Sequence, residues 1–299
     1  MEIKRVIPSG YCKGVIRAIQ MAKQARIDYP QEKIYVLGMI VHNHYVAEAL
    51  EKLNIITLDA NNKEEAINSI DNGVLIFSAH GIADKYKKMA SDKGLIIIDA
   101  SCVDVIATQN IVKKHLNEGY KVFYIGKKNH PEAEAVLSIS SDIILINSED
   151  DIPSNCDKAI FVTNQTTMSI FEIANIFEAI KKKYPNALFE KEICKATTMR
   201  QEAVLKLKDC DLLIVVGDPK SNNSNKLKEI GLLSGIKKVI MIEEAKDLKL
   251  DDLKDCNHIY VTAGASTPTS LTNAVIETLK KFALNGELIK PDVNLDEIL

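Results

Sequence analysis

Leu212-Leu213-Ile214-Val215-Val216 is an unbroken apolar run, with Cys210-Asp211 before it and Gly217 after it. It is too short for a helix and lacks the alternation of a strand with one wetted face. Such a run fits a strand buried on both faces of a parallel sheet. Val74-Leu75-Ile76-Phe77 reads the same way. With these two as the pattern, strands are expected at about 3–7, 34–38, 55–58, 74–78, 95–99, 121–125, 142–146, 159–163, 187–191, 211–216, 238–242 and 258–262. Amphipathic stretches lie between them. One spans about 14–29, with Val15, Ile16, Ile19 and Ala22 on one face; another spans about 169–183 and opens on the capping box Ser169-x-x-Glu172. Strand and helix alternate along the chain, which makes it α/β.

The six cysteines divide by context. Cys12, Cys102 and Cys194 each stand where an expected strand ends and a helix begins, and successive members are 90 and 92 residues apart (102 − 12 and 194 − 102). The positive end of a helix dipole stabilises a thiolate, the form that binds metal. Cys156, Cys210 and Cys256 each stand just before a strand, at the opposite edge from the strand C-termini where open α/β sheets bind ligands. They read as small half-buried packing residues. Equal spacing and matched contexts point to three units of one design: 13–101, 102–191 and 192–285, the last completed by a strand within 1–12, with 286–299 as a tail. The expected fold is three similar α/β domains with mostly parallel sheets. Set in a ring, they would bring Cys12, Cys102 and Cys194 to one central point.

A chain of 299 residues with 46% hydrophobic content can bury a sizeable core without disulfides. A net charge of −3 argues against a general partner in nucleic acid or an anionic membrane surface. No apolar run approaches the roughly 20 residues of a membrane helix, and the first ten residues carry no long apolar segment of a signal peptide. A cytoplasmic location with reduced thiols is expected. There, cysteines among polar loop residues point to metal or catalysis rather than disulfides.

Three thiolates at one point could bind zinc with a fourth ligand, or hold an iron–sulfur cluster with one iron lacking a protein thiolate. No close Cys-x2–4-Cys pair of a structural zinc site exists, nor the dense cysteine run of a bacterial ferredoxin. Widely spaced single ligands fit a larger object buried between domains. The strand C-termini lead into Val41-His42-Asn43, Ser78-Ala79-His80-Gly81, Asn129-His130-Pro131-Glu132, Gln165-Thr166-Thr167, Ser221-Asn222-Asn223-Ser224-Asn225 and Gly264-Ala265-Ser266-Thr267. Imidazoles, hydroxyls, amides and helix N-termini together make a phosphate or diphosphate cradle. Singly, Ser221–Asn225 and Ser266–Thr267 read as helix caps, with Pro268 at the first helical position. Glu132 is the candidate acid, since a carboxyl in apolar surroundings keeps its proton at neutral pH. Thr166 or Thr167 could relay or orient that proton. Gly-x-Gly-x-x-Gly and Walker A patterns are absent, so no nucleotide site is indicated.

Gly10-Tyr11-Cys12-Lys13-Gly14-Val15, the six loops above and Cys194-Lys195-Ala196-Thr197-Thr198-Met199-Arg200-Gln201 together closely resemble the 4-hydroxy-3-methylbut-2-enyl diphosphate reductase family. The likeness runs in order over nearly the whole chain. It implies a trefoil-like α/β fold around a central 4Fe-4S cluster, with Cys12, Cys102 and Cys194 as ligands and one open iron that takes the substrate hydroxyl. It implies reductive dehydroxylation of an allylic diphosphate to isopentenyl and dimethylallyl diphosphate, the last step of the methylerythritol phosphate route to isoprenoids. His42, His80, His130, Ser221, Asn222, Asn223 and Ser266 would hold the diphosphate. Glu132 would supply protons, Thr166 would contact the substrate hydroxyl, and a ferredoxin or flavodoxin type donor would supply electrons. Two departures stand out. Ser101-Cys102-Val103 replaces the family's usual Thr-Cys-Pro, which removes a preset helical φ. Asn222 stands where a serine is common. Two rival readings remain at this stage: another three-domain cluster enzyme resembling quinolinate synthase, and a zinc-stabilised binding module. His130-Pro131-Glu132 with Gln165-Thr166-Thr167 favours the reductase.

Overall fold

The computed structural model describes residues 1–58 and 61–299. Among them twelve strands form: β1 (Glu2–Arg5), β2 (Ile34–Leu37), β3 (Ile55–Leu58), β4 (Val74–Phe77), β5 (Ile96–Asp99), β6 (Lys121–Ile125), β7 (Ile143–Ile146), β8 (Ile160–Asn164), β9 (Leu188–Phe189), β10 (Leu212–Val216), β11 (Lys238–Ile242) and β12 (His258–Ala263). Every strand read from the apolar runs is present, with ends displaced by two residues at most. The helices are α1 (Lys13–Asp28), α2 (His44–Glu51), α3 (Lys63–Asn68), α4 (Asp84–Asp92), α5 (Val103–Asn117), α6 (Pro131–Leu137), α7 (Ile170–Lys183), α8 (Lys195–Leu205), α9 (Asn222–Leu233), α10 (Leu250–Leu253) and α11 (Thr269–Asn285). Among the described residues no helix is long and apolar enough to cross a membrane.

The chain divides into two compact units, one of Met1–Ile16, Val41–Lys52 and Lys195–Leu299, the other of Arg17–Ile40 and Leu53–Cys194. The first holds the sheet β1-β12-β10-β11; the second holds β3-β2-β4-β5 and β7-β6-β8-β9. All pairings are parallel. The N-terminus supplies the fourth strand of its sheet, with Glu2 in register with His258 and Arg5 with Val261. Counting β1 as that fourth strand, all three sheets share the order second-first-third-fourth. The fold is therefore three similar parallel α/β layers.

Burial on both faces explains the unbroken apolar runs. All five residues of β10 have no exposed surface, each side chain contributing about 1.5–3 kcal/mol of transfer free energy. In β6, Phe123 and Ile125 pack with Ile173, Ile176 and Ile180 of α7, while Val122 and Tyr124 pack the other way, with Val112 of α5 and Ala133 and Val136 of α6. Helix α7 opens on the expected capping box, Ser169 and Glu172 each bonding the other's backbone.

Two local expectations shift. The buried stripe of α1 is Val15, Ala18, Ile19, Ala22 and Ala25, whereas Ile16 is 42% exposed. One residue is 100° of rotation on a helix, so Ile16 falls off the stripe that Val15 begins. Pro268 stands at the N-cap of α11 rather than at its first helical position, because its ψ of 139° is extended.

Candidate active site

In a sheet ordered second-first-third-fourth, the chain leaves the first and third strands toward opposite sides. The C-terminal loops of those two strands flank the crevice where open α/β sheets bind ligands. Here the first strands are β2, β6 and β10, and the third are β4, β8 and β12. Every expected ligand residue lies in a loop following one of these six strands, or in the first turn of the next helix: His42, His80, His130 with Glu132, Thr166, Ser221 with Asn222 and Asn223, and Ser266.

The fourth strands lead to the thiols. Cys102 follows β5, Cys194 follows β9 and Cys12 follows β1, and each stands directly before a helix. Each cysteine amide donates to the carbonyl of the second residue beyond the third strand: Cys102 to Ala79 at 2.9 Å, Cys194 to Thr166 at 3.1 Å and Cys12 to Ala265 at 3.1 Å. The three positions are thus equivalent in their own sheets. All three thiols are half-buried and outside any disulfide, a state suited to metal ligation at helix N-termini. The missing proline after Cys102 does not undo the turn. Cys102 caps α5 with φ −61° and ψ 141°, and Asp99 Oδ1 accepts from the Ser101 amide at 3.0 Å and its hydroxyl at 2.5 Å. An Asx turn does the local work that proline does elsewhere.

The second unit carries the acid. Glu132 is the second residue of α6 and is 2% exposed. Its carboxyl accepts from the Thr166 amide at 2.8 Å, the Thr166 hydroxyl at 3.0 Å and the Tyr124 hydroxyl at 3.4 Å. Burial pushes its pKa up to about 7; the Thr166 and Tyr124 bonds pull against that, and the nearby Asp104 charge adds to it. His130 caps the helix, its Nδ1 accepting from the Glu132 amide at 3.2 Å. That bond places the neutral ring's proton on Nε2, as a donor for an anion. The His80 ring meets His130 edge-on with centroids 5.9 Å apart. Thr166 therefore links two features, its side chain on Glu132 and its carbonyl on the Cys194 amide.

The first unit carries neutral donors. Ser221 caps α9, its hydroxyl accepting from the Ser224 amide at 3.3 Å. The Ser266 hydroxyl donates to the His42 carbonyl at 2.9 Å and lies 3.4 Å from the Ser221 hydroxyl. A Cβ on Gly217 or Gly264 would lie 2.3 or 2.1 Å from the Ser224 hydroxyl, so only glycines let this helix end settle onto both loops. Asn223 Oδ1 accepts from the Thr197 hydroxyl at 3.4 Å, while its Nδ2 is buried with no hydrogen-bond partner among the described residues. A buried donor of this kind beside a helix N-terminus fits an anionic ligand.

Supporting residues lie outside the expected set. Gln165, fully buried, accepts from the Lys127 amide and donates to the Thr167 hydroxyl, both at 3.0 Å, tying the β6 loop to the β8 loop. Arg200 Nη2 donates to the Gly10 carbonyl at 2.6 Å, steadying the turn before Cys12. His44 reaches Glu243 at 3.0 Å and Asp218 at 3.6 Å, anchoring the segment that carries His42. Gln165 and Arg200 are large polar residues inside motifs that otherwise read as contact residues, and that was their only signal in the sequence.

A model of the LytB protein family matches residues 3–280. The chain belongs to the LytB family. It is similar to a protein of Bacillus velezensis named 4-hydroxy-3-methylbut-2-enyl diphosphate reductase, 45% identical over 96% of this chain and 93% of the relative. A Bacillus subtilis protein of the same name is 44% identical, over 94% and 91%. A solved structure of E-1-hydroxy-2-methyl-but-2-enyl-4-diphosphate reductase from Plasmodium falciparum aligns with a TM-score of 0.87 and 32% identity, over 93% of this chain and 87% of that one. The pre-strand cysteines of this LytB-family chain have a different character. Burial pushes Cys210 up to about 11 and raises Cys256 as well. The Cys156 and Cys256 thiols donate to backbone carbonyls, of Lys158 at 3.6 Å and Lys254 at 3.3 Å. Thiols raised by burial or bonded to nearby carbonyls suit packing rather than metal.

Proposed function

We propose that this chain reduces (E)-4-hydroxy-3-methylbut-2-enyl diphosphate to isopentenyl and dimethylallyl diphosphate, the reaction for which its relatives are named. The observation that carries the assignment of roles is the buried Glu132–Thr166 pair, poised near neutral pH on the loop that also accepts the Cys194 amide. The net change is loss of the allylic hydroxyl as water, with uptake of two electrons and two protons.

In this reading Cys12, Cys102 and Cys194 would hold a 4Fe-4S cluster. When bound, the cluster supplies electrons and a Lewis-acidic iron. His42, His80, His130, Ser221, Asn222, Asn223 and Ser266 bind the diphosphate through imidazole, amide and hydroxyl donors, backed by helix N-termini. Thr166 orients the Glu132 carboxyl and faces the departing hydroxyl. Glu132 delivers the proton, which a carboxyl with its pKa near 7 can do at physiological pH. The segments 13–101, 102–191 and 192–285 with 1–12 are taken as three modules of one design. A ferredoxin or flavodoxin type carrier in the cytosol brings the electrons one at a time.

The test is chemical analysis and turnover of protein purified without oxygen. Iron and sulfide in cluster proportion are expected, together with conversion of the diphosphate under a chemical reductant. Cys12→Ser, Cys102→Ser and Cys194→Ser each lose the cluster, and Cys156→Ser keeps it. About one zinc and no sulfide would overturn the cluster and favour a zinc-stabilised binding module.

A further inference from the structure

Tyr124 occupies the middle of β6 and is fully buried, as are Val122, Phe123 and Ile125 around it. Its ring packs with Val112, Ala133, Val136 and Phe161. Phenylalanine would fill that space equally well. The hydroxyl is therefore surplus to packing, and a buried hydroxyl without a partner costs about 1–3 kcal/mol. Its partner here is Glu132 Oε1, at 3.4 Å.

The carboxyl has two protonation states and needs different neighbours in each. Ionised, it accepts from all three of its donors. Protonated, its own O–H needs an acceptor, which the Thr166 amide cannot be but a hydroxyl can. Burial raises the Tyr124 phenol well above its ordinary range, so it stays a neutral hydroxyl throughout and can donate or accept. Other charged or titratable groups face Glu132 differently. Asp104 approaches from α5, His130 caps its own helix with His80 beyond it, and Glu134 turns outward to Lys63 at 2.7 Å.

We propose that Tyr124 is a positioning residue for the acid, holding Glu132 Oε1 and reversing its hydrogen bond when the carboxyl takes up a proton. This leaves the Thr166 hydroxyl available to the substrate. The inference rests on the assignment of Glu132 as proton donor.

The test compares wild type, Tyr124→Phe and Tyr124→Met. The bond Tyr124 donates to the ionised carboxylate is charge-assisted and stronger than the one it accepts from the protonated carboxyl, so its loss raises the carboxyl's pKa and the limb on which kcat falls with rising pH moves upward. The expected displacement is about one pH unit, a tenfold change in the acid constant. The second readout is an infrared pH titration of the protonated carboxyl band, assigned by its loss in Glu132→Gln. It should show the same upward movement without substrate or turnover. Folded Tyr124→Phe and Tyr124→Met with an unmoved or lowered titration would overturn the proposal. Normal turnover by Glu132→Gln would instead sink the catalytic role of Glu132, and the infrared titration would still decide the Tyr124 bond.

Discussion

After β10 the chain runs from Gly217 to a capping serine, Ser221, and the second residue of the helix is Asn223. After β6 it runs from Gly126 to a capping histidine, His130, and the second residue of the helix is Glu132. Both residues are buried, both accept from a threonine hydroxyl, and both sit on the first-strand side of a parallel sheet. One position presents a neutral amide with a donor to give; the other presents an acid with a proton to give. In the proposed reading, one backbone plan supplies both binding and chemistry, and the side chain at a single helical position decides which.

Breaking the acid side should have the largest effect. Glu132→Gln keeps the hydrogen-bonding shape but has no proton to deliver, so turnover should fall by about 10²–10⁴-fold while the thermal melt stays cooperative. Turnover within a few-fold of wild type would remove Glu132 from the chemistry.

The same substitution should sharpen the contrast in stability. Glu132 is raised from 4.5 to about 7 in the folded chain. A raised carboxyl favours the protonated folded state, so it costs nothing below about pH 4.5. The cost grows between there and about pH 7 and is complete above that. It amounts to about 3 kcal/mol. Glu132→Gln should therefore unfold at higher denaturant than wild type at pH 8, with the gap closing toward pH 4. A constant gap across that range would contradict the assigned burial.

On the amide side, Asn223→Ala should raise KM about 10–100-fold, the value of one or two bonds to a charged ligand, and leave kcat nearly unchanged. A loss confined to kcat would erase the distinction between the two crevices.

The smallest effect concerns the turn after Cys102. Cys102 already has the extended ψ that a following proline requires. Val103→Pro should add up to about 1 kcal/mol of stability without changing iron content. A lowered melting temperature would show that Asp99 and Ser101 hold a turn proline cannot share.

The central strands were legible in the sequence because both their faces are covered, which leaves unbroken apolar runs such as Leu212–Val216 and Val74–Phe77. The loop residues were legible because each lies just past such a run. What spacing could not convey is contact. Tyr124 reads as one more apolar strand residue, and only the packing of α6 against β6 brings its hydroxyl to Glu132. Gln165 bonds the Lys127 amide and Arg200 the Gly10 carbonyl, groups that every residue type but proline supplies, so the sequence does not single out those contacts. Ile16 lies off the buried face of α1 because three alanines, with Val15 and Ile19, make up the buried stripe.

The pairing of Glu2–Arg5 with His258–Val261 has a consequence for how the protein is made. Strand β1 leaves the ribosome first and finds its partner only when β12 emerges. At about 5–20 residues per second that is a delay on the order of 10–50 s. Over that interval the segment leading to Cys12 has no sheet to join, while the strands leading to Cys102 and Cys194 have long since met theirs. Of the three thiols, the one made earliest is therefore the last whose strand can pair.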